Sequence, residues 1–135
     1  MPAKTMIKAI ATSLGIFFAL SVSAPAQTPT FEVLEGLQKG NWSLKERGAQ
    51  EEGRQLCLGD PAILLQVQHS GASCSQYVIE NSPSVLRVSY KCGELGHGVT
   101  EIRRESSGLI QIHSQGIADN SPFSFSAEGR RTGDC

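Results

Sequence analysis

The sequence predicts a mainly β, α+β domain: an antiparallel β-meander of about five to six strands, with one short helix packed on it and disulfides stapling the whole. Three observations carry that prediction. Short runs alternate apolar and polar residues at period two, separated by Gly-, Pro- and Ser-rich turns. A single brief apolar segment opens on Asp60-Pro61 with helical rather than strand character. Four cysteines stand in a chain whose beginning reads as an export signal.

The export signal comes first in the chain. Lys4 and Lys8 precede an apolar stretch from Ala9 to Ala24, which runs out in Ala24-Pro25-Ala26. A basic start, an apolar middle and a small-x-small exit define a secretory signal peptide, here residues 1–26 with cleavage after Ala26. Thr12, Ser13, Gly15, Ser21 and Ser23 make the stretch poor and short for a retained membrane helix. Removing residues 1–26 from the 135 leaves a single-domain length of 109. It also leaves ten basic against thirteen acidic residues, a net charge of −3 with His neutral. A mildly acidic domain carries no electrostatic footprint for nucleic acid or for an anionic membrane.

The elements follow in order. Residues 27–36 open with Gln-Thr-Pro-Thr and read as a flexible leader, so the domain is expected over 37–135. Gly40 to Glu46 alternates with Trp42 and Leu44 on one face, a half-buried strand. A polar loop from Gly48 to Gly53 leads through Arg54-Gln55-Leu56-Cys57 to the helix. Asp60 is a good N-cap, and Pro61 suits the first helical position because its missing N–H costs nothing there. About two turns of Ala62, Ile63, Leu64, Leu65 and Val67 are marginal alone, so they must lie on a sheet. Ser73–Glu80 and Val85–Cys92 flank the turn Asn81-Ser82-Pro83-Ser84. Val99–Glu105, Leu109–Gln115 and Ser121–Gly129 supply the remaining strands, and their spacing by short turns favours an antiparallel meander.

In an exported chain, Cys57, Cys74, Cys92 and Cys135 are expected to form two disulfides, for which three connectivities exist. The expected pairing is Cys57–Cys74, closing the helix as a clasp, with Cys92–Cys135. The alternative joins Cys74 to Cys92 across a hairpin. Alternation counts against it: in Ser75-Tyr77-Ile79 and Leu86-Val88-Tyr90-Cys92 the larger apolar residues share one face, which places Cys92 inward and Cys74 outward.

These features resemble a family of small periplasmic proteins of unknown function from Gram-negative bacteria. The matching features are the signal peptide, the early Gly40-Asn41-Trp42 strand, the Cys57-x-x-Asp60-Pro61 helix start, and Cys74 and Cys92. The resemblance spans nearly all the mature chain and implies a periplasmic location and a small, mostly antiparallel sheet. It implies no catalytic residues.

Motifs for chemistry are sparse. There is no C-x-x-C, C-x-x-C-H or H-E-x-x-H, and the expectation is no cofactor and no metal. Cys92 and His97 are close enough in sequence to share a metal, but His97 reads more simply as a turn residue. His69 ends the helix, and His113 alternates outward. No serine stands in G-x-S-x-G or S-x-x-K. Arg130-Arg131 reads as a solvated tail, with an anion clamp as the alternative. The leading functional expectation is a non-enzymatic binding or interaction domain, its partner a small apolar ligand or an envelope protein. Trp42, Tyr77, Tyr90, Phe123 and Phe125 would line its apolar surface; the competing reading makes them core. A hydrolase with a site invisible as a linear motif would instead gather His97 or His113 with a serine and an acid. An envelope-stress accessory protein would expose a large apolar patch.

Overall fold

The structure, a computed structural model, describes residues 29–135. The expected signal peptide and the first two leader residues lie outside that range. Seven strands form one sheet: β1 (Gly40–Glu46), β2 (Arg54–Leu58), β3 (Ser75–Asn81), β4 (Val85–Lys91), β5 (Gly96–Ser106), β6 (Leu109–Ala118) and β7 (Ser121–Gly133). Their order is β2-β1-β7-β6-β5-β4-β3, and every neighbouring pair is antiparallel. Strands β3 to β7 form the expected meander. The β1–β2 hairpin docks on its far side through β1 and β7.

Local chemistry sets the turns. Asp119 and Asn120 join β6 to β7 with φ of 49° and 60°. Positive φ at both central residues is the type I′ geometry that matches strand twist, and Asp and Asn tolerate it better than other side chains. At the β3–β4 turn, the Ser82 hydroxyl and the backbone of Val85 bond in both directions, at 3.0 and 3.1 Å.

Alternate strand residues build the core on one face. Trp42, Leu44, Leu86, Val88, Ile102, Ile110, Ile112 and Ala127 are all buried there. Two short helices cover them. Helix α1 (Glu32–Glu35) seats Val33 and Leu34, and a 3₁₀ helix over Pro61–His69 seats Leu64, Leu65 and Val67. Their opposite sheet face has no helix over it among the described residues.

Four expectations change. The leader is not uniformly flexible: its last residues form α1, because Val33 and Leu34 bury apolar area that stabilises the turn. The strands number seven, because Arg54–Leu58 pairs with β1 as an edge strand. The Asp60-Pro61 start is as expected, with Asp60 Oδ1 accepting from Ala62 N–H at 2.9 Å, but the segment is 3₁₀ and breaks at Gln66 (φ −136°, ψ 47°). A 3₁₀ helix rises about 2.0 Å per residue against about 1.5 Å for an α-helix. That longer reach suits a connection that must cross the sheet from edge β2 to edge β3, roughly 29 Å at the usual strand spacing.

The fourth change is the disulfide pairing: the bonds are Cys57–Cys135 and Cys74–Cys92, not Cys57–Cys74 and Cys92–Cys135. Strand register gives the reason. Gln76 lies opposite Tyr90 and Val78 opposite Val88, so Cys74 falls on the same face as Cys92. Tyr77 is paired with Ser89 and points outward, 73% exposed, which reverses the parity on which the expected pairing rested. At the other edge, Cys57 and Gly133 flank Asn41 from either side, bringing Cys135 across β1 to Cys57. The helix is therefore no clasp closed on itself. Each disulfide secures one edge of the sheet.

Candidate functional site

The five aromatic residues expected to share a ligand surface are divided between the faces. Trp42, Tyr90 and Phe125 are buried under the helices, and Phe123 is half-buried beside them. Tyr77 stands alone on the opposite face of edge strand β3. Trp42 is fixed further by its indole N–H, which donates to the Gln38 carbonyl at 3.0 Å. It is a core residue.

Inside the core lies a polar chain that alternation alone did not reveal. His69, the last residue of the 3₁₀ helix, is only 7% exposed. Its Nε2 lies 3.1 Å from the Leu95 carbonyl, which can only accept, so Nε2 carries a hydrogen. Nδ1 then accepts from the Tyr90 hydroxyl at 3.0 Å. Nearby, the Thr100 hydroxyl donates to the Leu65 carbonyl at 2.7 Å and contacts Ser114 Oγ at 2.9 Å. Burial pushes the Tyr90 phenol above its ordinary value, against a smaller opposing effect of its hydrogen bond with Ser114. Gly98 makes room for this tyrosine: a Cβ there would come within 2.7 Å of the Tyr90 oxygen. The chain ties the 3₁₀ helix to β4, β5 and β6 with its buried polar atoms paired.

Two of the openings among the described residues bear on the functional readings. The first is an apolar groove of about 490 Å³ where α1 meets the start of the 3₁₀ helix. Phe31, Leu34, Leu37, Pro61 and Ala62 line it, together with the polar Thr30, Glu35, Lys39 and Asp60. Its volume falls within the usual range for small-molecule sites. The sequence signal was faint, because Phe31 and Leu34 lay in the supposed leader.

The second is a polar cleft of about 180 Å³ on the uncovered face, lined by Arg47, Glu101, Arg103, Gln111, Ile112, His113 and Ser126. Register creates it: Ser126 of β7 lies opposite His113 of β6, which lies opposite Glu101 of β5, which lies opposite Arg87 of β4. His113 Nδ1 and Ser126 Oγ are 2.7 Å apart. A serine, a histidine and an acid thus share one cleft, as the hydrolase reading required. The acid, however, is engaged elsewhere. Arg87 donates to Glu101 Oε2 through Nε at 2.9 Å and through Nη2, and the side-chain bond of His113 is to Ser126, not to this carboxylate. The hydrogen bonds with Glu101 also hold the Arg87 guanidinium above its ordinary value. What the cleft offers is arginine and histidine side chains around a small opening, beside the Glu101 carboxylate.

His97 stands exposed between Lys91 and Ile117, and Cys92 is in a disulfide, so these two do not share a metal site. Among the described residues no three His, Cys, Asp or Glu gather as metal ligands. Arg130 and Arg131 are strand residues rather than a tail. Arg130 pairs with Glu128 at 2.9 Å, and Arg131 contacts Asp134 at 2.5 Å and donates to the Lys39 carbonyl at 2.8 Å. No helix among the described residues is long and apolar enough to cross a membrane. Comparisons with family models, with curated proteins and with solved structures each found no match.

Proposed function

We propose that this protein is an exported binding module that takes a small apolar ligand in the groove between α1 and the 3₁₀ helix. The observation that carries the reading is the lining of that groove. Phe31, Leu34, Leu37, Pro61 and Ala62 give an apolar floor and walls beside few polar groups, the usual make-up of a small-molecule site. Two disulfides within a domain of this size support an oxidising compartment. The periplasm, which the family resemblance implied, belongs to the same reading.

The test uses a neutral fluorescent probe, N-phenyl-1-naphthylamine, titrated into the protein. Ala62→Trp places a large side chain at the groove wall while leaving the Asp60 cap bond to the backbone N–H intact. The expected result is saturable probe fluorescence in the native protein and at least about tenfold weaker binding in the variant. The thermal midpoint should remain within a few degrees. Unchanged probe affinity in A62W, or no saturable binding at all, would overturn the reading.

A further inference from the structure

The uncovered sheet face is electrically unlike the rest of the molecule. The whole chain carries 12 basic and 13 acidic residues. Strand register and the turn after β1 place Lys45, Arg47, Arg87, Lys91, Arg103 and Arg130 on this one face. Its outward strand positions hold three carboxylates, Glu80, Glu101 and Glu128, with Glu105 in the β5 bulge at the margin. Two of the three are engaged by arginine: Glu101 by Arg87, and Glu128 by Arg130. Half the basic residues of a net acidic chain therefore lie together, with the nearby carboxylates largely neutralised.

The excess converges on the cleft of about 180 Å³ beside His113. Arg103 makes only a distant approach, 4.0 Å, to Glu101 Oε1. Arg47 is held by one side-chain bond, from Nη2 to Gln111 Oε1 at 3.1 Å, and Gln111 Nε2 is in turn anchored on Glu128 at 3.4 Å. His113 Nδ1 is engaged by Ser126 Oγ at 2.7 Å, and the tautomer in which that hydroxyl donates leaves Nε2 as the hydrogen-bearing nitrogen. Two guanidinium groups and an imidazole border the same opening.

We infer that this cleft binds a single phosphate or sulfate group of a small soluble ligand, with Arg47 and Arg103 as the charged clamps and His113 as the third donor. Arginine suits this task because its fixed planar fork matches the oxygens of such groups. A small ligand is favoured over a flat anionic surface by Glu101 and Glu128. A membrane pressed on the whole face would meet both carboxylates, whereas a single oxyanion in the cleft would meet Glu101 alone, which Arg87 already engages. This site is separate from the apolar groove, and neither requires the other.

The test is a titration of the ¹⁵N-labelled protein with inorganic phosphate, and separately with sulfate, at ionic strength held constant with chloride. Saturable shifts centred on the amides of Arg47, His113 and Ser126 are expected. Arg47→Ala combined with Arg103→Ala should weaken binding by at least about tenfold, the loss expected for a charged hydrogen-bonded contact. Lys91→Ala, on the same face but away from the cleft, should leave it unchanged. The inference would be overturned by shifts that never saturate or by an equal effect of chloride alone. Full affinity in the double variant would also overturn it. So would binding to phosphatidylglycerol vesicles without any phosphate-induced shift at the cleft, since that result would assign the face to a membrane.

Discussion

The two faces of the sheet are drawn from alternate residues of the same strands, yet they obey different rules. Under the helices, volume and hydrogen-bond satisfaction decide: Trp42, Ile102 and Ile110 are fully buried, and the polar His69 and Thr100 are admitted with partners. On the uncovered face charge decides, with Glu101 and Glu128 taken up by arginines while Arg47 and Arg103 border a cleft. The difference teaches where substitutions should be felt. Truncations under the helices should be felt in stability, and truncations of charged residues on the uncovered face should leave stability nearly unchanged.

The disulfides provide the largest test of that division, because they cut across it. Cys57 is exposed and Cys92 is buried, but chain entropy depends on loop length rather than on face. The sequence separations of 78 and 18 residues correspond to about 4.5 and about 3 kcal/mol. Replacing Cys57 and Cys135 by Ser should therefore lower the urea unfolding free energy more than replacing Cys74 and Cys92. The reverse order would mean that burial, not loop closure, sets the value of these bonds.

Trp42→Ala follows, with an expected loss of about 3–5 kcal/mol for emptying a core site of this size. On the other face, Arg103→Ala should stay within about 0.5 kcal/mol in the same urea experiment. A comparable loss from both would break the contrast. His69→Leu is smaller, about 1–3 kcal/mol, because it leaves the Leu95 carbonyl and the Tyr90 hydroxyl without their buried partner.

pH sharpens the same comparison at its small end. Tyr90 has a folded-state value raised by burial above its ordinary 10.0, so its contribution is complete below that pH and is lost as pH rises toward the folded value. Tyr90→Phe should flatten part of the alkaline decline in urea midpoint. Glu128 behaves oppositely. Its hydrogen bonds from Arg130, then Gln111, lower its value below the ordinary 4.5. That contribution is present above 4.5 and fades as pH falls through the folded value. Glu128→Gln should thus show a thermal-midpoint deficit near neutrality that disappears in acid. For so exposed a pair the effect is well under about 1 kcal/mol. A deficit persisting in acid would assign it to packing.

Periodicity made most of the sheet legible. Leu86-Arg87-Val88-Ser89-Tyr90 alternates cleanly and became β4, while Trp42 and Leu44 marked β1. Strand β2 escaped notice because Arg54 and Gln55 give two positions of a five-residue strand no apolar signal. Tyr77 and Ile79 misled for the opposite reason: they look like an inward row, but an edge strand leaves them outside and Val78 alone packs on the core. The oxyanion cleft was beyond linear reading. Arg47, Arg103, His113 and Ser126 meet only through the registers of β5, β6 and β7 and the turn after β1. Serine, histidine and arginine at such separations form no motif.

The pairing of β1 with β7 also fixes a timetable. Among the described residues, the β1–β2 hairpin joins the sheet only through β7, the seventh strand in chain order. A chain emerging from its amino end can assemble β3 to β6 by local hairpins, but the apolar faces of Trp42 and Leu44 must wait for β7 to arrive. Until β7 is in place, β1 has no strand of the β3–β7 meander to pair with. The Cys57–Cys135 bond covalently closes this same junction, tying β2 to the residue two beyond β7.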